Sequence, residues 1–210
     1  MQTKVKLNPL AVARQPVKQP SRVRFEGILD EAEQLLIEEG IHGFSIPILA
    51  ERLAYTRASI YHFFPSPYAL LNELSQRYLD DSSTKIMKLM TASIESSWQD
   101  GFAQIMQFVA KYYNARPVAR MLLLGGPVTD QSFRIKEQTN ERLGEAVRAL
   151  LLMKGIALPK EPDLARIAVD IADAVLCHSQ YHYDKITNGC RDEAVRAMIA
   201  YLAPYAESAG

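Results

Sequence analysis

The chain has 210 residues, of which 48% are hydrophobic, so it can bury a substantial core as one compact domain or two small ones. Its 24 lysines and arginines balance 24 aspartates and glutamates, which excludes a protein that coats nucleic acid through bulk positive charge. The apolar runs are too short to cross a bilayer and the N-terminus has no apolar segment of the secretory type, so we expect a cytoplasmic protein.

The first 23 residues predict a flexible basic arm. Several prolines interrupt this segment, and its charges are all positive. The basic residues that precede the first acidic residue of the chain are Lys4, Lys6, Arg14, Lys18, Arg22 and Arg24. Such an arm is either a solvated tail without a function or a segment that adds contacts to DNA phosphates or to the minor groove.

The next segment predicts a helical scaffold followed by two short helices joined by a tight turn. Apolar residues recur at helical spacing from Phe25 to Leu36, and this first helix should end at Gly40, a good C-cap residue. Ser45 is a candidate N-cap for the second helix, and Thr56 is a candidate N-cap for the third. Two short helices joined by a tight turn are the layout of a DNA-binding module.

The two faces of the third predicted helix differ in character. Ile60, Phe63 and Phe64 are apolar at helical spacing and predict contacts with a core. The candidate DNA-binding residues are the polar or small ones of the other face together with the two caps: Ser45, Thr56, Arg57, Ala58, Ser59, Tyr61 and His62. The alternative is that Tyr61 and His62 are partly buried aromatic residues of a small helical core.

Nearly every segment after the arm has helical periodicity and none predicts a hairpin, so the expected fold class is all-α. A long fourth helix should open at Ser66 and Pro67, an N-cap followed by proline at the first helical position, and continue toward residue 90. Further helices are predicted from Ser97 to Ala115, from Pro117 to Leu124, from Asp130 to Lys154, from Asp163 to near Ile186, and from Arg191 to Ala206.

The last two predicted helices each carry an apolar stripe in which small residues alternate with large ones. One stripe comprises Leu164, Ile167, Ala168, Ile171, Ala174, Val175 and His178, and the other comprises Ala194, Val195, Met198, Ile199 and Leu202. These stripes either cover the core of their own chain or pair with a second copy as a four-helix interface.

No pattern in the sequence predicts catalysis, a cofactor or a metal site. Cys177 and Cys190 lack a metal-binding or CxxC spacing and are expected to be free thiols. His178 and His182 lie one helical turn apart, which is half of a zinc site, but no third ligand has a suitable spacing. The chain also lacks a phosphate-cradling glycine-rich loop, a GxSxG elbow and an HExxH motif, so we do not expect an enzyme.

With these residues in place, the chain resembles the TetR family of transcriptional regulators. The match extends from Arg24 to about Leu71 and comprises Gly40, Leu49-Ala50-Glu51-Arg52, Thr56, Ile60-Tyr61-His62-Phe63-Phe64 and Pro65-Ser66. Two positions depart from the family pattern. Ala54 stands where the turn usually has glycine, which costs about 1 kcal/mol if the backbone there is left-handed. Pro67 stands where the family commonly has a lysine that pairs with a DNA phosphate.

The resemblance implies a helix-turn-helix domain over residues 24–71 and a C-terminal ligand-binding and dimerisation domain over residues 72–210. It implies that the third helix enters the major groove and that a homodimer, paired through the last two helices, binds a palindromic operator in double-stranded DNA. A small-molecule effector would release the operator, so the expected function is that of a repressor. The rival interpretation is a helical dimeric interaction protein that does not bind an operator.

The resemblance also implies an effector pocket among the C-terminal helices. Aromatic, polarizable and hydrogen-bonding side chains suit the lining of such a pocket. The candidates are Trp98, Phe102, Met106, Tyr113, Arg120, Met121, His178, Tyr181 and His182. The alternative for each is that it is an ordinary core residue.

Overall fold

The computed structural model describes residues 8–92, 96–126 and 129–207, so Lys4 and Lys6 of the predicted arm lie outside the described residues. Within these ranges the regular secondary structure is entirely helical, which confirms the predicted all-α class. A 3-10 turn, Pro9–Ala11, precedes the helices α1 (Gln19–Gly43), α2 (Ile46–Arg52), α3 (Arg57–Phe63), α4 (Pro67–Ala92), α5 (Trp98–Asn114), α6 (Pro117–Leu124), α7 (Asp130–Met153), α8 (Leu164–Tyr183) and α9 (Asn188–Glu207). None of the described helices combines the length and the apolar character that crossing a bilayer requires.

The described chain divides into two compact units. The first contains the chain up to Arg77 together with the segment that ends at Ile135. The second contains Tyr78–Gly126 and the chain from Lys136 onward. The division therefore falls inside α4, between Arg77 and Tyr78, whereas the sequence predicts a domain boundary after residue 71.

Helix α1 is the scaffold of the first unit. The ring of Phe25 stacks on that of Phe64 with centroids 4.7 Å apart and meets the ring of Phe63 edge-on at 5.7 Å. An ion pair of 2.6 Å between Arg52 and Glu38 joins α2 to α1. These contacts fix the two short helices on one side of α1.

Glycine interrupts α1 where the sequence predicts its end. Gly40 has a φ of 66°, a left-handed conformation that glycine adopts without steric cost, and one further helical turn follows it up to Gly43. At the other end of the chain, Asp184 has a φ of 48° and ends α8 before the predicted Ile186. Helix α9 then begins at Asn188 rather than at Arg191.

Residues 8–23 of the predicted arm contain the start of α1 and hydrogen bonds to residues far along the chain. Helix α1 begins within this segment, and the side-chain amide of Asn72 donates to the backbone carbonyl of Ala11 at 2.8 Å. The backbone N–H of Arg14 donates to the carbonyl of Phe63 at 2.7 Å. Basic and proline-rich composition predicts flexibility because it offers few apolar side chains. The backbone of this segment is instead held by hydrogen bonds to residues far along the chain, which composition does not reveal.

The turn between α2 and α3 places an alanine in the left-handed region. Ala54 has a φ of 51°, and its N–H donates to the carbonyl of Glu51 at 3.1 Å. The N–H of Tyr55 donates to the carbonyl of Ala50 at 2.9 Å. These bonds end α2 with a left-handed residue, a position at which glycine is usual. Because Ala54 carries a methyl group there, it has the steric cost expected from the sequence.

Replacing Ala54 by glycine should stabilise the protein by about 1 kcal/mol, because glycine adopts this φ without that cost. Urea unfolding measured by circular dichroism checks the shift. Ala58→Gly is the matched control, since Ala58 is exposed and helical in α3, and there glycine should destabilise by up to about 1 kcal/mol. Equal effects of the two substitutions would contradict the strain at Ala54.

Helices α7 and α8 approach closely in the second unit. A Cβ atom at Gly144 of α7 would lie only 3.0 Å from the Cα atom of Arg166 in α8. Helix α8 begins at the N-cap Asp163, whose carboxylate accepts from the N–H of Arg166 at 3.0 Å and from the Arg148 guanidinium at 2.6 Å. The cap and the close approach together fix the start of α8 against α7.

Replacing Asp163 by alanine should destabilise the protein by about 1 kcal/mol near neutral pH through loss of the cap. Burial alone would raise the pKa of the Asp163 carboxyl, but the N–H of Arg166 and the guanidinium of Arg148 outweigh it and hold that pKa below its ordinary value of 3.8. A carboxyl with a lowered pKa stabilises the fold above its ordinary pKa and loses this contribution as the pH falls through the lowered value. Thermal unfolding of the wild type and Asp163→Ala should therefore show a smaller difference in stability at about pH 2.5 than near pH 7. The Asp163→Asn variant keeps a cap acceptor but has no charge there, so its cap should contribute a stability that depends little on pH.

Candidate DNA-binding surface and ligand cavity

Two hydroxyl caps begin the helices of the helix-turn-helix, at the positions predicted from the sequence. Ser45 Oγ accepts from the N–H of Ile48 at 3.4 Å, and Thr56 Oγ1 accepts from the N–H of Ser59 at 3.2 Å. The hydroxyl oxygens of Thr56 and Ser59 also lie 2.8 Å apart. The cap of α3 therefore also orients the side chain of Ser59.

Helix α3 has one buried and one exposed face. Ile60 is fully buried and Phe63 is nearly so, which anchors the helix on the core of the first unit. Of the candidate DNA-binding residues, Thr56, Arg57, Ala58, Tyr61 and His62 are exposed, and Ser45 and Ser59 are half-buried. The exposed fraction of Tyr61 is 40%, so this tyrosine is not a core residue. The outer face of α3 is thus polar and open to a partner.

Two arginines lie beside the ends of α3: Arg14 of the predicted arm and Arg24, the first residue after it. Arg14 donates from its side chain to the carbonyl of His62 at 3.3 Å. The guanidinium carbon of Arg24 lies 5.4 Å from the centroid of the Tyr55 ring, just before the cap of α3. Both arginine side chains are exposed. Exposed arginines can contact DNA phosphates, and such phosphate contacts fix the position of a DNA-binding helix along the duplex. The sequence did not reveal these positions relative to α3, because the partners are distant along the chain.

Helix α4 begins as predicted. Ser66 Oγ accepts from the N–H of Ala69 at 3.3 Å and donates to the carbonyl of Leu10. Pro67 occupies the first helical position and has neither an N–H group nor a charged side chain to offer a phosphate. Arg14 and Arg24 are the basic groups that flank α3 instead.

The second unit contains a cavity of about 90 Å³. Its wall is mainly apolar and is formed by residues such as Leu79, Met90, Phe102, Met106, Val169, Leu176 and Met198. Its polar lining residues are Ser82, Tyr113, Lys136, Thr139, Asn140 and Asp173. An apolar cavity with a few polar groups is the usual form of a small-molecule site.

Phe102, Met106 and Tyr113 of the predicted ligand-binding residues line this cavity. Trp98 does not line it, but its ring is buried and meets that of Phe102 edge-on with centroids 5.5 Å apart. The predicted residues Arg120 and Met121 also lie outside the cavity lining. Arg120 instead pairs with Asp184 at 3.5 Å.

The predicted ligand residues of α8 lie on its exposed side rather than in the cavity. His178, Tyr181 and His182 are exposed, and Tyr181 has 85% of its surface accessible. The inward face of α8 presents Val169 and Leu176 to the cavity, and helical geometry turns His178 away from that face. The rings of His178 and His182 lie 4.3 Å apart, but among the described residues no group of three potential ligands could hold a metal ion.

A charged pair that the sequence does not predict lies at the cavity wall. Lys136 Nζ of α7 is 2.7 Å from Asp173 Oδ2 of α8, and the Cys177 thiol lies beside both. Burial raises the pKa of Asp173, and the ammonium of Lys136 offsets only part of that effect. Burial also raises the pKa of the Cys177 thiol, which keeps it protonated and unreactive. The signal in the sequence was the position of Asp173, four residues after Val169 on the buried face of an apolar helix.

Residues 28–74 match the family model described as "Bacterial regulatory proteins, tetR family". Most of α1, all of α2 and α3, and the first turns of α4 fall within these residues. No match was found among curated protein sequences.

Several solved structures share the fold of the chain. A protein described as a TetR-family transcriptional regulator from Mesorhizobium loti MAFF303099 is 15% identical, with 90% of this chain and 99% of that chain covered and a TM-score of 0.68. The multidrug binding protein EbrR, complexed with imidazole, is 17% identical, with coverage of 85% and 94% and a TM-score of 0.63. FadR from Thermus thermophilus, a TetR-family repressor in complex with lauroyl-CoA, is 14% identical, with coverage of 84% and 92% and a TM-score of 0.62. At these identities the likeness concerns the fold alone.

Proposed function

We propose that the chain, which matches the model of the bacterial tetR regulatory family over residues 28–74 and shares the fold of TetR-family regulators, is a repressor whose homodimer binds a palindromic operator and is released by a small-molecule effector. The observation that carries the proposal is the exposed polar face of α3, which is anchored through Phe63 and flanked by Arg14 and Arg24. The protein would act on DNA in the cytoplasm.

The exposed face of α3 has side chains suited to the major groove. Arg57 can pair with a phosphate or make a bidentate contact with guanine, and Ser59 can reach a base edge or a phosphate. Tyr61 and His62 can donate to phosphates or contact a thymine methyl group. Ala58 is small, so it allows the helix to approach the DNA backbone closely.

Ser45 and Thr56 complete the proposed DNA-binding set. Each is the cap of a helix, and the first backbone N–H groups of a helix favour a phosphate. Phosphate contacts at the first turns of α2 and α3 would orient α3 in the groove.

We propose that α8 and α9 form the homodimer interface. On α8, Ile167, Ile171 and Val175 recur every four residues and are only half-buried in the single chain. On α9, Val195 and Ile199 are also half-buried. A second copy would cover these apolar side chains in a two-fold symmetric four-helix contact. Two reading helices could then bind successive major grooves about 34–36 Å apart.

The cavity of the second unit is the proposed effector site. Phe102, Met106 and Tyr113 line it, and ligands are bound in the solved structures of EbrR and FadR, which share the fold. A ligand releases DNA only if it binds the conformation that cannot bind the operator more tightly than the conformation that can. The proposal therefore requires an effector that lowers operator affinity.

Gel-shift titration with the DNA upstream of the protein's own gene, and with duplexes selected in vitro from a random pool, tests the proposal. We expect a complex at about 10–100 nM protein, a two-fold symmetric footprint, and an affinity that falls steeply as salt is raised. A selection that enriches no sequence, or a footprint over one half-site, would contradict it. The first of these outcomes would favour a dimeric interaction protein without an operator.

A further inference from the structure

The charges on the wall of the cavity cancel one another. The cavity combines a mainly apolar lining with one ammonium, that of Lys136, and one carboxylate, that of Asp173. The two groups lie 2.7 Å apart, and less than a third of either side chain is exposed. A ligand that carries a net charge would therefore add an unpaired charge to a poorly hydrated site, which is costly.

The ammonium of Lys136 has no donor left for a ligand. An ammonium carries three N–H donors. In the protein they point to Asp173 Oδ2 at 2.7 Å, to the backbone carbonyl of Leu123 at 3.1 Å and to Cys177 Sγ at 3.6 Å. An anionic ligand would have to displace one of these contacts while it faces the carboxylate of Asp173.

The carboxylate of Asp173, in contrast, retains acceptor capacity. A carboxylate offers about four acceptor positions on its two oxygens. Lys136 donates to Oδ2, and the Cys177 thiol is the other neighbouring donor, at a long 3.8 Å. Both side chains contact the same carboxylate oxygen, Oδ2. A ligand can therefore satisfy this carboxylate by donating one hydrogen bond.

The neighbouring polar groups are uncharged. The phenol of Tyr113 is buried, and burial raises its pKa, which keeps the phenol neutral. Asn140, also at the cavity, donates to Asp170 at 3.1 Å. These groups can hydrogen-bond with a neutral head group but cannot compensate an additional charge.

We propose that the cavity binds an uncharged molecule with an apolar body and a single hydroxyl head group, which donates a hydrogen bond to the Asp173 carboxylate. This inference rests on the proposed effector function, because it names the ligand class of the same cavity. The body of the ligand lies against the apolar wall, where Met90, Met106 and Met198 provide side chains that adapt to different shapes. An ammonium head group fits less well, since it would place two cations beside one carboxylate.

Three probes with the same chain, octan-1-ol, octanoate and octylammonium, separate the possible head groups. Trp98 is the single tryptophan of the chain and contacts Phe102 of the cavity wall, so its fluorescence reports occupancy. Isothermal titration calorimetry gives the dissociation constants. We expect octan-1-ol to bind at least about 10-fold more tightly than either ion at neutral pH, a difference of about 1.4 kcal/mol.

Variants of the pair should change the preferred charge in a defined direction. Asp173→Asn leaves Lys136 as an unpaired cation and should shift the preference toward octanoate. Lys136→Met leaves Asp173 as an unpaired acid and should shift it toward octylammonium. Asp192→Asn, exposed on α9 and outside the cavity lining, is the matched control and should keep the preference for octan-1-ol.

The double variant Lys136→Met/Asp173→Asn covers the possibility that a single variant fails to fold, because it buries no unpaired charge. It should bind octan-1-ol more weakly than the wild type and still reject both ions. The inference is overturned if wild-type protein binds octanoate or octylammonium as tightly as octan-1-ol, if no probe binds, or if Asp173→Asn leaves the preference unchanged. Gel shifts in parallel distinguish the two proposals. Operator binding without alcohol binding would contradict only the inference about the ligand class. Alcohol binding without release of the operator would contradict only the proposed effector function.

Discussion

Ile171→Glu should convert the protein to a monomer and lower operator affinity by about 100-fold or more. Ile171 is half-buried on α8, at the middle of the row formed with Ile167 and Val175. A carboxylate there would be placed opposite its own symmetry mate in a two-fold interface, where both charges would lose water without gaining a partner. A monomer binds one half-site and loses the gain in effective concentration that links two reading heads. Analytical ultracentrifugation and gel shifts measure the two effects.

Ala103→Glu is the matched control for this substitution. Ala103 is exposed on α5, which is not part of the proposed interface, so the same new side chain should leave the dimer and its operator affinity intact. If Ile171→Glu remained a dimer with unchanged melting behaviour, the interface would have to lie elsewhere, and the geometry of the operator would have to be derived again.

Arg57→Ala should weaken operator binding by at least about 30-fold without changing the helical circular dichroism signal. A bidentate arginine contact to guanine is worth about 1–3 kcal/mol, and a dimer loses two of them. Arg57 is exposed at the first position of α3, so its truncation removes no core contact. Arg142→Ala is the matched control, because that arginine is exposed on α7, pairs with Asp80 at 3.8 Å, and belongs neither to the proposed DNA-binding set nor to the proposed dimer interface.

The salt dependence of Arg57→Ala distinguishes the two roles open to this residue. If Arg57 contacts a phosphate, the variant should bind all DNA more weakly and the salt slope should fall by about 2 for the dimer. If Arg57 reads guanine, the loss should be confined to the operator and to the half-site positions that contain guanine. Unchanged affinity for every DNA would remove α3 from the proposed interface.

The local features of this fold were predictable from sequence because they depend on residues that are close in the chain. Ser45 and Thr56 cap their helices through the N–H group three residues ahead, and the left-handed turn at Ala54 follows from the family pattern. The bounds of α6 follow in the same way from Pro117 at its start and the glycines after its last residue. Each of these features depends only on residues within about one helical turn of one another.

The features that the sequence did not predict depend on residues that meet only in the folded chain. The segment before α1 is held by the amide of Asn72 and by the carbonyl of Phe63, which composition cannot identify. The cavity pair joins Lys136 of α7 to Asp173 of α8, and neither residue forms a motif in its own helix. Periodicity correctly marked α8 as amphipathic, but it did not decide which of its two apolar faces would be turned toward the cavity.

The glycine at position 144 bears on the ligand selectivity proposed for the cavity. Its missing side chain lets α7 come against the backbone of α8 at Arg166, about two helical turns from Lys136 along the same helix. This contact sets the distance between α7 and α8, and therefore the distance that the side chain of Lys136 must span to reach Asp173. The Gly144→Ala substitution would push α7 and α8 apart, and the proposed selectivity of the cavity would change although no residue of its wall had been replaced.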